Sequence, residues 1–200
     1  MPRTTEQFEE MRHEREESIL TAALYLFATK GVEQTSADSI RAIVNCSHGL
    51  LYHYFKSKED LYRAVIAKKV MPLASNVTHG VDLNQKAKFV LADVIDNFIK
   101  FLKSDDDEYV WALNLLLNIH LQTLINPQIK NVEKDKKVYD WVYELIERGK
   151  QEGDFNDLSS RELVISILAL FKGLTYNRVK IGHKKFLCPH TDIIMKMVLK

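Results

Sequence analysis

Proline, glycine and cysteine are all scarce in this chain, at four, seven and two of 200 residues. Few prolines and glycines mean few breakers, which favours helix. No segment shows the alternation of a half-buried strand, and no internal repeat or low-complexity tract interrupts the pattern. The two cysteines, Cys46 and Cys188, form no metal or redox spacing and exclude a disulfide framework. A dominant sign of charge is also missing. The formal net charge is +1, so the chain as a whole carries no nucleic-acid signature. The longest strongly apolar run, Leu163 to Phe171, is too short to span a bilayer, and Met-Pro-Arg before an acidic stretch is no signal peptide. A cytoplasmic location with no membrane partner is the expectation.

Catalytic signatures are equally thin. There is no glycine-rich phosphate loop, nucleophile elbow or His-Glu metalloprotease motif, and the seven histidines include no i, i+4 pair. The run Ser104 to Glu108 (SDDDE) lacks the glycine turn and ligand spacing of a calcium loop. Acids there suit the start of a helix, where they meet its macrodipole. Cys188 and His190 make at most half of a metal site. We therefore expect no enzyme, no metal and no cofactor.

What the chain does have is apolar residues, 46% of the total, enough for one large or two small packed domains. The stretch from Thr35 to Leu61 (TSADSIRAIVNCSHGLLYHYFKSKEDL) organises the rest. Thr35 and Ser36 are N-cap types, with Asp38 placed for a Thr35 capping box. Ile40, Ile43 and Val44 mark one helical face, and Asn45 stands where a left-handed residue ends a helix. Ser47 caps a second helix over His48–Tyr54, with Leu51 and Phe55 directed inward. Ser57 and Asp60 open a third helix carrying Leu61 and Val65. A helix as short as His48–Tyr54 is unstable alone, so neighbours must prop it, and its exposed face is the reason to keep it. Two short helices joined by a tight turn form a helix-turn-helix, a unit that lays its second helix in a DNA major groove. Gly49 inside that second helix costs about 1 kcal/mol relative to Ala. Close approach to a phosphate or close helix packing would explain it. Locally, Lys30, Arg41, Lys56, Lys58, Arg63, Lys68 and Lys69 outnumber Glu33, Asp38, Glu59 and Asp60.

The same residues carry a family resemblance. Ile19–Phe27 (ILTAALYLF), Gly31, Thr35-Ser36, Ile40, Ser47-His48-Gly49, Leu51–Phe55 and Ser57–Leu61 resemble the DNA-binding domain of the TetR family of bacterial transcription regulators. Arg41 and Val44 stand where the family has small residues, and Asn45 where it has a turn glycine. The resemblance implies DNA contacts at Thr35, Ser36, Ser47, His48, Gly49, Leu50, Tyr52, His53, Tyr54, Lys56 and Lys58. By position, His48, Leu50 and His53 would face bases, while Tyr52, Tyr54 and Lys58 would meet phosphates. It further implies a ligand-responsive homodimeric repressor that leaves a palindromic double-stranded operator when a small apolar or amphipathic ligand fills the second domain.

The rest of the chain reads as helices. Residues 1–17 are mostly charged and suggest a frayed arm, in which only Phe8 and Met11 hint at packing. Pro72 should kink or stop the helix opened at Ser57. Ala87–Leu102 is amphipathic, Tyr109–Ile125 is apolar nearly all round, and Asn126-Pro127 should end it. Val138, Trp141, Val142, Leu145 and Ile146 mark the next helix, ending near Gly149 or Gly153. Leu163–Leu174 is apolar on almost every face and so needs two partners, its own core and a second subunit. Thr191 should cap a last helix.

We thus expect an all-α protein of about nine helices. Residues 1–56 form a three-helix DNA-binding domain, 57–72 a connecting helix, and 73–200 a ligand-binding and dimerisation domain. Ligand contacts are expected from Phe98, Trp111, Asn114, Leu117, His120, Tyr139, Tyr143 and Tyr176. Dimer contacts are expected from Val164, Ile167, Leu168, Phe171, Ile194, Met197 and Val198. The competing reading is a helical enzyme or ligand carrier with a merely structural amino-terminal domain. It would need convergent titratable groups in the large domain, where the sequence offers only the isolated His120.

Overall fold

The computed structural model describes residues 5–125 and 136–200, without the side chains of 73–76, 119–125 and 136–137. The chain divides into two compact units, Met1–Pro72 and Leu73–Lys200.

In the first unit, α1 (Thr5–Lys30) buries Ile19, Ala22, Ala23, Leu26 and Phe27 and ends at Gly31, whose φ of 90° suits a residue without Cβ. Against it lie α2 (Ala37–Val44), α3 (His48–Tyr54) and α4 (Lys58–Val65). The expected frayed arm is instead the helical start of α1, though residues 5–15 are all exposed. Ile43 also departs from expectation. It is 50% exposed while Ile40 is buried, because the short α2 has room for one inward position per turn.

Pro72 neither ends its helix nor breaks it sharply. α4 runs into a π-turn, Ile66–Val70, and then into α5 (Met71–Ala74) and a 3₁₀ turn, Ser75–Thr78. The Met71 N–H bonds back to the Ile66 carbonyl, five residues earlier. That wide turn lies one position before a residue that has no N–H and whose ring crowds the carbonyl four back, so the turn relieves the proline's clash. Two ion pairs hold the π-turn to α1, Lys68 with Glu16 and Lys69 with Glu17.

The second unit comprises α6 (Ala87–Lys103), α7 (Asp107–Ile125), α8 (Lys136–Gln151), α9 (Ser160–Ile181) and the short α10 (Thr191–Met195). With α4 and α5 taken as one rod, the described residues form nine helices and no strand. α7 and α9 are the most closely packed pair, as two helices apolar on most faces should be. Gly149 lies within α8 and does not end it. A Cβ there would stand 2.2 Å from the ring of Phe155, which is fully buried, so the glycine is the floor on which that ring lies. Thr191 does not cap α10 with its side chain; its hydroxyl donates to Asp96 of α6.

One polar cluster ties the unit together. Arg178 of α9 is 1% exposed, yet carries a charge. Its Nε donates to the Leu102 carbonyl at 3.0 Å and its Nη2 to the Ser104 carbonyl at 2.9 Å. The same Nη2 lies 2.8 Å from the Asp107 carboxylate at the start of α7. One guanidinium thereby caps the end of α6, secures the turn after it and grips the first residue of α7. Near it, the Thr175 hydroxyl donates to the Lys172 carbonyl at 2.9 Å and lies 3.4 Å from the side-chain oxygen of the buried Asn114 of α7.

Replacing this residue tests the clasp. Arg178→Met keeps most of the volume but leaves two carbonyls without their donor, which should cost about 2–4 kcal/mol. Asp107→Asn should cost far less, because Asp107 is half-exposed. Denaturation followed by tryptophan fluorescence reads this unit alone, since Trp111 and Trp141 both lie in it. Equal losses in the two variants would mean that the carboxylate, not the carbonyl cap, is what matters.

Candidate nucleic-acid interface and apolar cavity

Three hydroxyl caps set the geometry of the helix-turn-helix. Ser36 is the N-cap of α2, its Oγ accepting from the Ser39 N–H at 3.1 Å. The expected Thr35 box does not form. Thr35 is buried, its hydroxyl donates to the Gly31 carbonyl at 2.7 Å and its N–H to the Val32 carbonyl at 3.2 Å. Asp38 pairs with Arg41 instead. Asn45 takes up the left-handed conformation, φ 48° and ψ 57°, and turns the chain toward α3. Ser47 then caps α3 by accepting from Leu50 N–H, and Ser57 caps α4 by accepting from Asp60 N–H. Asp60 in turn accepts from the Lys56 N–H at 3.0 Å.

Within α3, Leu51 is buried and Phe55 just after it is buried too, which roots the helix. Ser36, Ser47, His48, Gly49, Tyr52, His53 and Lys56 are exposed, and Leu50 and Tyr54 are half-buried. The rings of His48 and Tyr52 lie 4.6 Å apart on that outer face. Lys58 is half-buried, with Nζ donating to the Val32 carbonyl at 3.1 Å, so one N–H is spent on the turn after α1. Of the residues expected at DNA, all but Thr35 thus reach the surface of the first unit.

The second unit holds a partly open cavity of about 360 Å³. Leu91, Val94 and Phe98 of α6, Leu113, Leu116 and Leu117 of α7, Val138, Trp141 and Val142 of α8, and Ile167, Leu168 and Phe171 of α9 border it, with Val77, Thr78 and Leu83 from the segment before α6. Among these, Thr78 and the Trp141 indole supply the only polar side-chain atoms, and none is charged. Of the expected ligand residues, Phe98 and Leu117 are here. Trp111, Asn114, Tyr139, Tyr143 and Tyr176 are not: each lies on another side of its helix. Asn114 lies beside Thr175, Tyr139 stacks on Tyr143, and Tyr176 is 51% exposed beneath Lys180. The side chain of His120 lies outside the described residues. Trp141 was legible in the i, i+3, i+4 stripe of α8, but nothing in the sequence distinguished a cavity wall from solid core.

The residues expected at a dimer interface are corrected as a group. Val164, Ile167, Leu168, Phe171, Ile194 and Val198 are buried inside a single chain, and Met197 packs half-buried against the same core. Phe171 stacks on Phe98 with centroids 4.0 Å apart. α9 does have a second apolar side. It runs through Ile165, 47% exposed, Ala169 and Gly173 to Tyr176.

The sequence model of the family described as "Bacterial regulatory proteins, tetR family" matches residues 19–65, the span of α1 to α4 that holds these caps. Residues 19–65 thus carry the DNA-binding domain of the TetR family. Among curated relatives, the HTH-type transcriptional activator FasR of Mycolicibacterium smegmatis is 30% identical over 98 residues, 49% of this chain and 45% of FasR. The HTH-type transcriptional regulator LuxR of Vibrio harveyi is 24% identical over 134 residues, 60% of this chain and 65% of LuxR. The chain thus spans about half the length of the curated relatives it matches. Among solved structures, the ketosteroid transcriptional regulator KstR2 of Mycobacterium tuberculosis superposes with a TM-score of 0.66 at 17% identity, covering 93% of this chain and 95% of that one. A putative regulator from Saccharomonospora viridis in complex with choline gives 0.61 at 18% identity, over 94% and 99%. These likenesses establish that both units adopt the TetR-like fold.

Within that fold, Asn45 fills the turn position where the family has glycine, and its αL backbone explains why the exchange is tolerated. Gly49 is different. A Cβ there would meet nothing within 4 Å, so packing inside the chain does not require glycine. Gly49→Ala should therefore stabilise the first unit by about 0.5–1 kcal/mol. If a phosphate must approach that backbone, the same change should weaken DNA binding. Circular-dichroism melting together with a DNA titration checks both; a variant that is no more stable would point to a packing role for Gly49.

Proposed function

We propose that this TetR-family protein is a homodimeric repressor that binds a palindromic operator and releases it when an apolar or amphipathic molecule occupies the cavity. The observation that carries the reading is α3, a helix of seven residues capped at its start and rooted by Leu51 and Phe55, with His48, Tyr52 and His53 turned to solvent. A helix so short has no stability of its own to contribute, and its outer face offers hydrogen-bonding and aromatic groups suited to base edges and phosphates. Ser36, Ser47, Lys56 and Lys58 surround it with phosphate-binding chemistry. The place of action is then the bacterial cytoplasm, where the operator lies.

The rod from Lys58 to Thr78 is the proposed transmission element. Leu61 and Val65 are buried in the first unit, whereas Val77 and Thr78 border the cavity of the second. A ligand can move that rod only if it binds two of its positions with different affinity. The π-turn and Pro72 are where bending costs least. The lining calls for a ligand that is apolar over most of its surface, with any polar end near Thr78 or outside, because an unpaired charge would pay several kcal/mol on entering.

The assembly proposed uses the outer side of α9. Ile165, Ala169, Gly173 and Tyr176 would face the same residues of a second copy across a two-fold axis, matching the two-fold symmetry of a palindromic operator.

A gel shift with the DNA upstream of the protein's own gene tests the core of the proposal, and failure to select any sequence from a random duplex pool would remove it. Ile165→Glu should convert dimers to monomers in sedimentation and weaken operator binding by at least about tenfold, since each subunit supplies one half-site. A wild-type protein that sediments as a monomer at micromolar concentration would count against the dimer. Leu117→Trp should fill the cavity, so that an apolar molecule extracted from wild-type protein and identified by mass spectrometry is missing from the variant, while operator binding persists.

A further inference from the structure

The first helix continues well past the core it serves. Residues 5–15 of α1 are exposed throughout, a length of about 15 Å at the helical rise. Its acids outnumber its bases, which makes it an unpromising partner for DNA when read as composition. The helical period sorts those charges. Phe8, Met11, Arg12 and Arg15 fall at i, i+3, i+4 and i+7 and share one face, while Glu6, Glu9 and Glu10 fall on the opposite one. Phe8, Met11 and Arg15 extend the line that Ser18, Ala22 and Leu26 continue into the core. On the arm, that line borders an open cleft of about 650 Å³ whose other wall is Leu50, His53 and Tyr54 of α3. Phe8 is 58% and Met11 44% exposed there. Arg12 has no ion-pair or hydrogen-bond partner among the described residues. Arg15 reaches only the Val44 carbonyl, at 3.5 Å. Glu14 is the one carboxylate bordering the cleft.

We infer that the basic face of this arm is a second DNA-binding element, clasping the sugar-phosphate strand that runs beside α3. The inference rests on the DNA-binding reading above and adds residues outside the helix-turn-helix. Two guanidiniums and an imidazole face one another across a cleft whose floor is apolar. A strand of DNA presents phosphates to the first and sugar surface to the second. A helix of another protein packed there would bury both arginines against apolar side chains. The segregated acids point away from the phosphates, so the arm's overall negative charge does not oppose binding at this distance.

The test uses the full-length protein, the operator duplex and a scrambled duplex, titrated across a range of salt. Arg12→Gln and Arg15→Gln should weaken binding to both duplexes alike. Each should flatten the slope of log affinity against log salt by roughly two, one phosphate contact per subunit of a dimer. Arg15→Lys should restore much of the slope. Glu9→Gln with Glu10→Gln, on the far face, should leave it unchanged. Melting curves should match wild type for all of these, as the positions are exposed. Arginine variants with the wild-type slope would overturn the arm alone and leave the helix-turn-helix reading intact. So would acid variants that shift the slope as much as the arginine ones, since charge at a distance would then explain both. Wild-type protein that binds neither duplex would remove the DNA-binding reading, and the arm with it.

Discussion

Everything in the second unit hangs on how a charge is kept inside it. Arg178 sits where solvent does not reach, and an unpaired guanidinium there would be prohibitive. It is tolerated because three acceptors surround it, and those acceptors belong to the end of one helix, the turn after it and the start of the next. Helix ends carry orphan carbonyls that need donors. Here one side chain from α9 supplies them, so a single hydrogen-bonded cluster links the end of α6, the start of α7 and α9 at the rim of their shared apolar core. These three helices, with α8, also surround the cavity. A unit so hollow needs some rigid point from which its walls are suspended, and a geometry-demanding polar cluster provides more definite spacing than apolar contacts, which slide at little cost.

The first unit solves a different problem. Its functional helix is too short to persist, so order must be imposed from outside. Three serine caps, one left-handed asparagine and two apolar anchors do this: the serine side chains stand in for missing backbone bonds at the helix starts, Asn45 turns the chain, and Leu51 and Phe55 are buried beneath α3. Lys58 ties the start of α4 to the turn after α1, and the ion pairs of Lys68 and Lys69 tie its far end to α1 again. α3 is thereby framed with its outer face left exposed. The arm of α1 fits the same logic, with polarity divided around a helix that has no core beneath it.

Local chemistry wrote the helix-turn-helix legibly. Caps, turn and anchors lie within a few residues of one another, so the sequence order is almost the spatial order. Ser47, Asn45, Ser57, Leu51 and Phe55 act as their types and spacing require. The misreadings nearby have equally local causes. Ser36 won the cap from Thr35 because Thr35 turned inward to the Gly31 carbonyl, and Ile43 stayed outside because α2 presents only a narrow inner face.

In the second unit the sequence by itself determined that α7 and α9 would be central, that α8 would carry an apolar stripe, and that α9 would need partners on two sides. Which side meets which partner was decided only by the tertiary structure. Helical periodicity defines faces relative to one another but not relative to the neighbours, and a helix apolar all round has no preferred rotation until packing chooses one. So Ile167, Leu168 and Phe171 belong to a cavity wall rather than to an outer surface, and Trp141 rather than Trp111 looks into the space. The cavity itself has no signature along the chain. It is volume left over where four helices fail to meet, and that depends on all of them together. Arg178 belongs to the same class: a basic residue in the last turns of a helix usually faces water, and only the arrival of three acceptors from distant positions made burial its lower-energy state.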